Sequence, residues 1–309
     1  MKTRIDLRFI SRLTLPVVAL AVLSLSGTQQ VLWHPNVASL LTAAYGAEAV
    51  SLDPKIRDFK LPDQIQWRNG EGGSKSALLY GDPSKPGFYV QILKRGPNVW
   101  SKPHFHDNDR FITVLDGTFW VGSGKFDSER TIPLKPGTFV RDIAKQIHFD
   151  GSKDDGTTLI FVGMGPASAH YEEPAEAAKT GPVVIDPGIR DVKRPEDLVW
   201  RKGDAASSVS LYGSQDQPGI YVQYLKRDPN QWSRLHSHPT DRFITVMGGK
   251  MYIGTGTILD KDKTIGLPKG GFVRDIASQV HYDGAKNEDL WIMLAGIGPA
   301  TSVTYTPPK

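Results

Sequence analysis

The sequence predicts an all-β protein built as two barrels in tandem. Three observations carry that expectation: a long internal repeat, short strand-like runs bounded by turn residues within each copy, and three histidines that recur at equivalent places. "WRNGEGGSKSALLYGDPSKPGFYVQILKRGPNVWSKPHFHDNDRFITV" from Trp67 returns as "WRKGDAASSVSLYGSQDQPGIYVQYLKRDPNQWSRLHSHPTDRFITV" from Trp200, at an offset of 132 to 133 residues. Residues 104–124 and 236–256 agree at 11 of 21 positions, and 139–151 and 272–284 at 10 of 13, which is duplication and not shared composition. A period that long marks two domains; solenoid units run to about 20–45 residues.

In chain order, the first element is a targeting segment. Lys2, Arg4, Arg8 and Arg12 precede the apolar run "LTLPVVALAVLSLSG" (13–27), which is of signal-peptide length and short for a membrane span. Residues 1–49 are therefore expected to be a signal peptide and processed segment. Small residues at Ser24, Ser26 and Gly27, and again in "AAYGAEA" (43–49), offer two cleavage regions. An uncleaved anchor is the alternative. The expected location is periplasmic or secreted, with no membrane association after cleavage. The absence of cysteine rules out disulfides, thiolate ligands and an acylated anchor, so any metal has to rest on His, Asp or Glu. The formal charge of +4 loses four basic and two acidic residues with this segment and falls to +2. With no Lys/Arg run, no nucleic-acid partner is expected.

The first domain is expected over 50–175. Its runs "GFYVQIL", "RFITVLDGTFWVGSG", "GTFVRDI" and "TTLIFVGMG" are rich in β-branched and aromatic residues and bounded by Gly, Pro and Asp. Many short strands at such spacing mean a sandwich or barrel. A linker, "YEEPAEAAKTGP" (171–182), follows, with room for a short helix near 173–179. The second domain, 183–309, repeats the first. Trp100, Trp232, Phe111, Phe243, Trp120 and Tyr252 are expected to fill the barrels or the seam between them.

Six of the eight histidines fall into two sets, His104, His106 and His148, then His236, His238 and His281. Side chains alternate along a strand, so both histidines of His-x-His face one side. A third imidazole on a neighbouring strand closes a facial set that leaves positions open for substrate, water or dioxygen. The expected cofactor is one divalent transition metal per domain, drawn from Fe, Mn, Cu, Ni and Zn.

At these residues the chain resembles the cupin superfamily, and the whole resembles a bicupin. The first cupin motif, G-x5-H-x-H-x3,4-E-x6-G, is met by His104, His106 and Gly117, and by His236, His238 and Gly249; Asn98 and Asn230 replace its leading glycine. The second, G-x5-P-x-G-x2-H-x3-N, is met by Gly137 with His148 and Gly270 with His281. Its internal Pro and Gly are Ile143 and Lys145 in one copy, and Ile276 and Ser278 in the other. The resemblance spans roughly residues 60–305 and implies two cupin-type double-stranded β-helix (jelly-roll) barrels. The motif's glutamate is absent: its position holds Arg110 and Arg242. A three-His site is then implied, as in cupins similar to cysteine dioxygenase and the diketone-cleaving dioxygenases. Asp109 and Asp241 point away from a regular strand, and only a bend at "HDND" or "HPTD" makes them ligands.

An arginine beside a dication held by neutral ligands is repelled unless something negative joins them. Arg110 and Arg242 are thus candidate catalytic residues that bind a small organic anion, or else they pair with Asp109, Asp142 or another acid. Gln146 and Gln279, two residues before the distal histidines, are candidates to contact ligand if the strand is regular. Tyr89 with Gln91, and Tyr221 with Gln223, are candidate pocket-lining pairs. Three functions are carried forward. The first is a metal-dependent, dioxygenase-like oxidoreductase. The second is a metal- or ligand-binding bicupin without turnover. The third is a decarboxylase or isomerase, weakened by the lack of a glutamate shared between the motifs. A homo-oligomer is compatible with the sequence.

Overall fold

A computed structural model describes residues 52–172, 174 and 182–307. The expected targeting segment and the expected helix at 173–179 lie essentially outside the described residues. Among those residues the regular structure is strand, apart from three single turns of 3-10 helix at Pro62–Gln64, Glu71–Gly73 and Pro195–Asp197.

Each half pairs a seven-stranded with a five-stranded sheet. In the first half the large sheet runs Arg190–Lys193, Phe139–Asp142, Arg110–Gly117, Thr157–Gly165, Gly87–Arg95, Lys75–Tyr80, Arg68–Asn69. Its smaller partner runs Ala169–Tyr171, His104–His106, His148–Gly151, Phe119–Ser123, Ile132–Leu134. The second half repeats this order from Arg57–Lys60 through Phe272–Asp275, and from Val303–Thr304 through His236–Ser237 and His281–Gly284.

The opening strand of each half pairs with the other half. Arg57–Lys60 lies antiparallel to Phe272–Asp275, and Arg190–Lys193 to Phe139–Asp142. The sequence boundaries 50–175 and 183–309 therefore delimit the repeats but not the sheets. The exchange follows from position, since each strand directly precedes its own repeat and reaches across to an edge that would otherwise stand unpaired.

Three apolar clusters fill the structure. One occupies the first barrel, with Ile112, Val114, Phe119, Val121, Leu134 and Phe161, and a second fills the other, with Ile244, Val246, Met251, Leu267 and Leu294. A third joins the halves, where Val90, Phe111, Phe139 and Ile160 meet Val222, Tyr224, Phe243 and Phe272. Phe111 and Phe243 thus belong to the seam.

The substituted motif positions keep the backbone that glycine would have allowed. Asn98 and Asn230 have φ of 59° and 64°, and Lys145 and Ser278 both have φ of 62°. Asn occupies the left-handed region readily; Lys and Ser do so only when their surroundings impose it. Here the turn is held by Lys145 N–H donating to the His106 carbonyl at 2.7 Å, and Ser278 N–H to that of His238 at 2.6 Å.

Candidate metal centre

Each histidine triplet converges. His104 and His148 are direct partners across adjacent strands, as are His236 and His281, which brings the distal histidine onto the first. Ring centroids lie 4.6–5.5 Å apart in the first triad and 4.5–5.2 Å in the second. Within each triad one nitrogen per ring lies within 4.8 Å of the others. All six side chains are buried, from 0% exposed at His148 and His281 to 7% at His236.

The tautomers are fixed by what each ring meets. Nδ1 of His104, His106 and His148 contacts the carbonyls of Lys102, Ser168 and Gln146, each at 2.8 Å. Nδ1 of His236, His238 and His281 contacts those of Arg234, Thr301 and Gln279 at 2.7, 3.3 and 2.9 Å. A carbonyl only accepts, so Nδ1 carries the hydrogen and Nε2 keeps its lone pair. Such orientation of imidazoles by backbone carbonyls is the usual support of a metal-binding histidine.

Charge points the same way. Burial, followed by the Arg110 guanidinium, pushes His106 down to about 3. Burial takes His148 and His236 to about 4, and lowers His104 as well. Burial and then Arg242 take His238 to about 2. These imidazoles are neutral, the form that ligates. Nε2 of His148 lies 3.5 Å from a carboxylate oxygen of Asp142, and that of His281 lies 3.4 Å from Asp275. Nε2 of His106, His148 and His281 is buried without a hydrogen-bond partner, and such orphaned lone pairs on converging imidazoles fit a divalent metal.

Beneath each triad lies an ion-pair network. Arg190, buried and arriving on the exchanged strand, contacts Asp142 through Nε and Asp150 through Nη2 at 3.0 Å, and donates from Nη1 to the Gly122 and Phe149 carbonyls. Arg95 holds the other side of Asp150. In the second half Arg57 contacts Asp275 at 2.7 Å and Asp283 at 3.1 Å, and Arg227 holds Asp283 at 2.9 Å. Burial alone would raise Asp142, but Arg190 and Arg110 hold it well below the usual carboxylate range. Arg110 lies 3.5 Å from Asp142. Counting Arg110 and Arg242, three guanidinium groups face two carboxylates in each half, an excess of one positive charge within each network of described residues.

Asp109 and Asp241 point away from the histidines, the orientation expected of a regular strand, and not inward through a bend. Asp109 accepts from Arg141 Nε at 2.7 Å and Ala144 N–H at 2.8 Å, and Asp241 does the same with Arg274 and Ala277, clamping the loop before the distal histidine. Gln146 is exposed and Gln279 half-buried, both just past the left-handed turn rather than on the strand, and each contributes its backbone carbonyl. Tyr89 and Tyr221 are buried, and burial raises both phenols, so they remain neutral O–H donors. Gln223 bonds Gln215. The network of Arg57, Arg95, Arg190 and Arg227 was not anticipated, although "IRDFK" (56–60) and "IRDVK" (189–193) repeat at the same 133-residue offset.

The architecture has counterparts among solved structures. An oxalate decarboxylase from Lactobacillus farciminis, in a formate complex, superposes with a TM-score of 0.55 at 14% identity, over 84% of this chain and 90% of that one. A provisionally assigned dioxygenase from Nostoc punctiforme gives 0.62 at 13% identity, over 83% and 89%. A Bacillus subtilis oxalate decarboxylase, studied for its Mn(II) centers, gives 0.55 at 12%, over 90% and 87%. The chain has the tandem cupin fold. At such identities the likeness establishes the bicupin architecture and not the reaction. No protein-family model and no curated relative matches the chain in sequence.

Proposed function

We propose that this bicupin binds one divalent metal per half and acts as a mononuclear metal-dependent oxidoreductase, of dioxygenase type, on a small organic anion. The observation that carries the reading is the pairing of three neutral imidazoles with an excess guanidinium at Arg110. Neutral ligands leave the charge of a dication intact, and the arginine adds to it. An anion that spans metal and guanidinium satisfies both, and Arg's planar fork suits a carboxylate or enolate. A metal so held supplies open coordination positions and Lewis acidity. The chain's own part is to orient the three rings, to hold the anion at Arg110, and to exclude bulk water through the packed barrel. Neighbours of similar fold act on oxalate or are seen with formate, both small organic anions, which supports the substrate class. Export is proposed from residues 1–49 alone.

A decarboxylase is the second reading, suggested by those neighbours. It calls for a proton donor near the substrate, and Asp142, the acid beside His148, is held ionised by Arg190 and so only accepts.

The test loads the metal-free protein with Fe(II) or Mn(II) and follows dioxygen consumption and products across small carboxylic acids, diketones and phenols. The proposal expects oxygen uptake with an anionic substrate, and a KM raised at least about tenfold in Arg110→Gln, the loss of a charge-assisted hydrogen bond. Binding without turnover favours the ligand-binding alternative, and carbon dioxide release without oxygen consumption favours the decarboxylase.

A further inference from the structure

The two arginines occupy the same place in the repeat but not the same posture. Each pairs across the sheet with a glycine, Arg110 with Gly163 and Arg242 with Gly296, and the Tyr89 and Tyr221 rings pack over those glycines. Two residues along, on the same face, the neighbouring strand carries Phe161 in the first half and Leu294 in the second. Arg110 lies over the Phe161 ring, 4.9 Å from its centroid, with Nη2 turned to Asp142. Leu294 offers no π face. Arg242 instead lies on His238, its Nη1 3.1 Å from Nε2 and 3.3 Å from Nδ1. The His238 ring is also held less tightly by its carbonyl, at 3.3 Å against 2.8 Å for His106.

Nε2 of His238 is the lone pair a metal needs, and the Arg242 guanidinium, seated over that ring at nearly equal distance from both its nitrogens, puts a positive charge where a dication would bind. We infer that Arg242 competes with metal for His238 while Phe161 keeps Arg110 off His106, so that the first triad binds a divalent metal more tightly than the second. The residue at the Phe161/Leu294 position is then a positioning residue that sets the order in which the two sites load. The inference rests on the proposal that the triads bind metal.

Co(II) titrated into the full-length, metal-free protein, followed by its visible absorption, tests it. His281→Ala leaves the first site to be measured, and His148→Ala the second. The first is expected to bind tighter by about tenfold or more, the effect of one positive charge where the dication binds. Adding Arg242→Gln to His148→Ala is expected to tighten the second site by about the same factor, a gain that structural damage would not produce. Phe161→Leu in the His281→Ala background is expected to weaken the first site. Adding Arg110→Gln is expected to restore it, which separates release of the arginine from a loosened core. Equal affinities at the two sites, or no gain from Arg242→Gln, overturn the inference and leave the metal reading standing. Failure of both sites to take up Co(II) overturns the metal reading itself.

Discussion

Arg190, on the strand that opens the second repeat, is ion-paired with Asp142 of the first, and Asp142 in turn faces His148 Nε2. Arg57 and Asp275 repeat the arrangement beneath His281. Each triad is thus supported from below by an arginine that the other repeat supplies, and strand exchange is part of how the sites are built.

That dependence makes the two buried arginines sensitive positions. Removing one partner of a buried ion pair strands the other's charge and costs about 3–5 kcal/mol. Arg190→Ala should therefore destabilise the protein by that order in denaturant unfolding, and Arg57→Ala likewise, with metal lost from the triad in the opposite repeat. A cost below about 1 kcal/mol, the level of a surface pair, would show that the network is not the support described.

The pH dependence follows from neutral buried histidines. An unfolded histidine titrates near 6.5, whereas His106, His148, His236 and His238 stay neutral in the fold to about 3, 4, 4 and 2. Below about pH 6.5 the unfolded chain binds protons that the native state does not. Stability of the metal-free protein should therefore fall between about pH 6.5 and 4, by up to about 1.4 kcal/mol per pH unit for each such histidine. Asp142, depressed by Arg190, adds a further loss only below about pH 4. Stability that is flat from pH 7 to 5 would contradict the assignment of these residues as neutral.

Metal removal should lower the melting temperature. A ligand bound only by the native state stabilises by RT ln(1 + [L]/Kd), about 4 kcal/mol at a thousandfold excess over Kd. Chelation should reverse that gain in the wild type and have little effect in a variant lacking His104, His106, His236 and His238. An unchanged melting temperature on metal addition would count against both sites.

The loop acids separate clamping from ligation. Asp109→Asn should cost about 1–2 kcal/mol of stability, through the weakened bonds to Arg141 and Ala144, and leave metal stoichiometry unchanged. Gln146→Ala should alter neither, because the His148 ring is oriented by the Gln146 backbone carbonyl. Loss of metal in either variant would reinstate these side chains in the site.

Much of the fold and the triads was legible because duplication and strand alternation are one-dimensional signals. His104, His106 and His148 repeat at 132 to 133 residues, and alternation alone places the first two on one face. The posture of Arg110 and Arg242 was not legible, since identical residues in "DRFITV" differ only through Phe161 and Leu294 on another strand. Nor was the displacement of Gln146 from the strand, because Lys145 gives no local sign of a left-handed backbone. Arg57 and Arg190 lie in visibly repeated segments, yet nothing local says that each serves the other repeat.

The most direct test of the account is metal content per chain by mass spectrometry, on protein lacking residues 1–49, purified without chelator and reloaded with excess divalent metal. His148→Ala and His281→Ala would be measured beside it. The account predicts about two equivalents in the parent protein and about one in each variant. No metal in any of the three would contradict it.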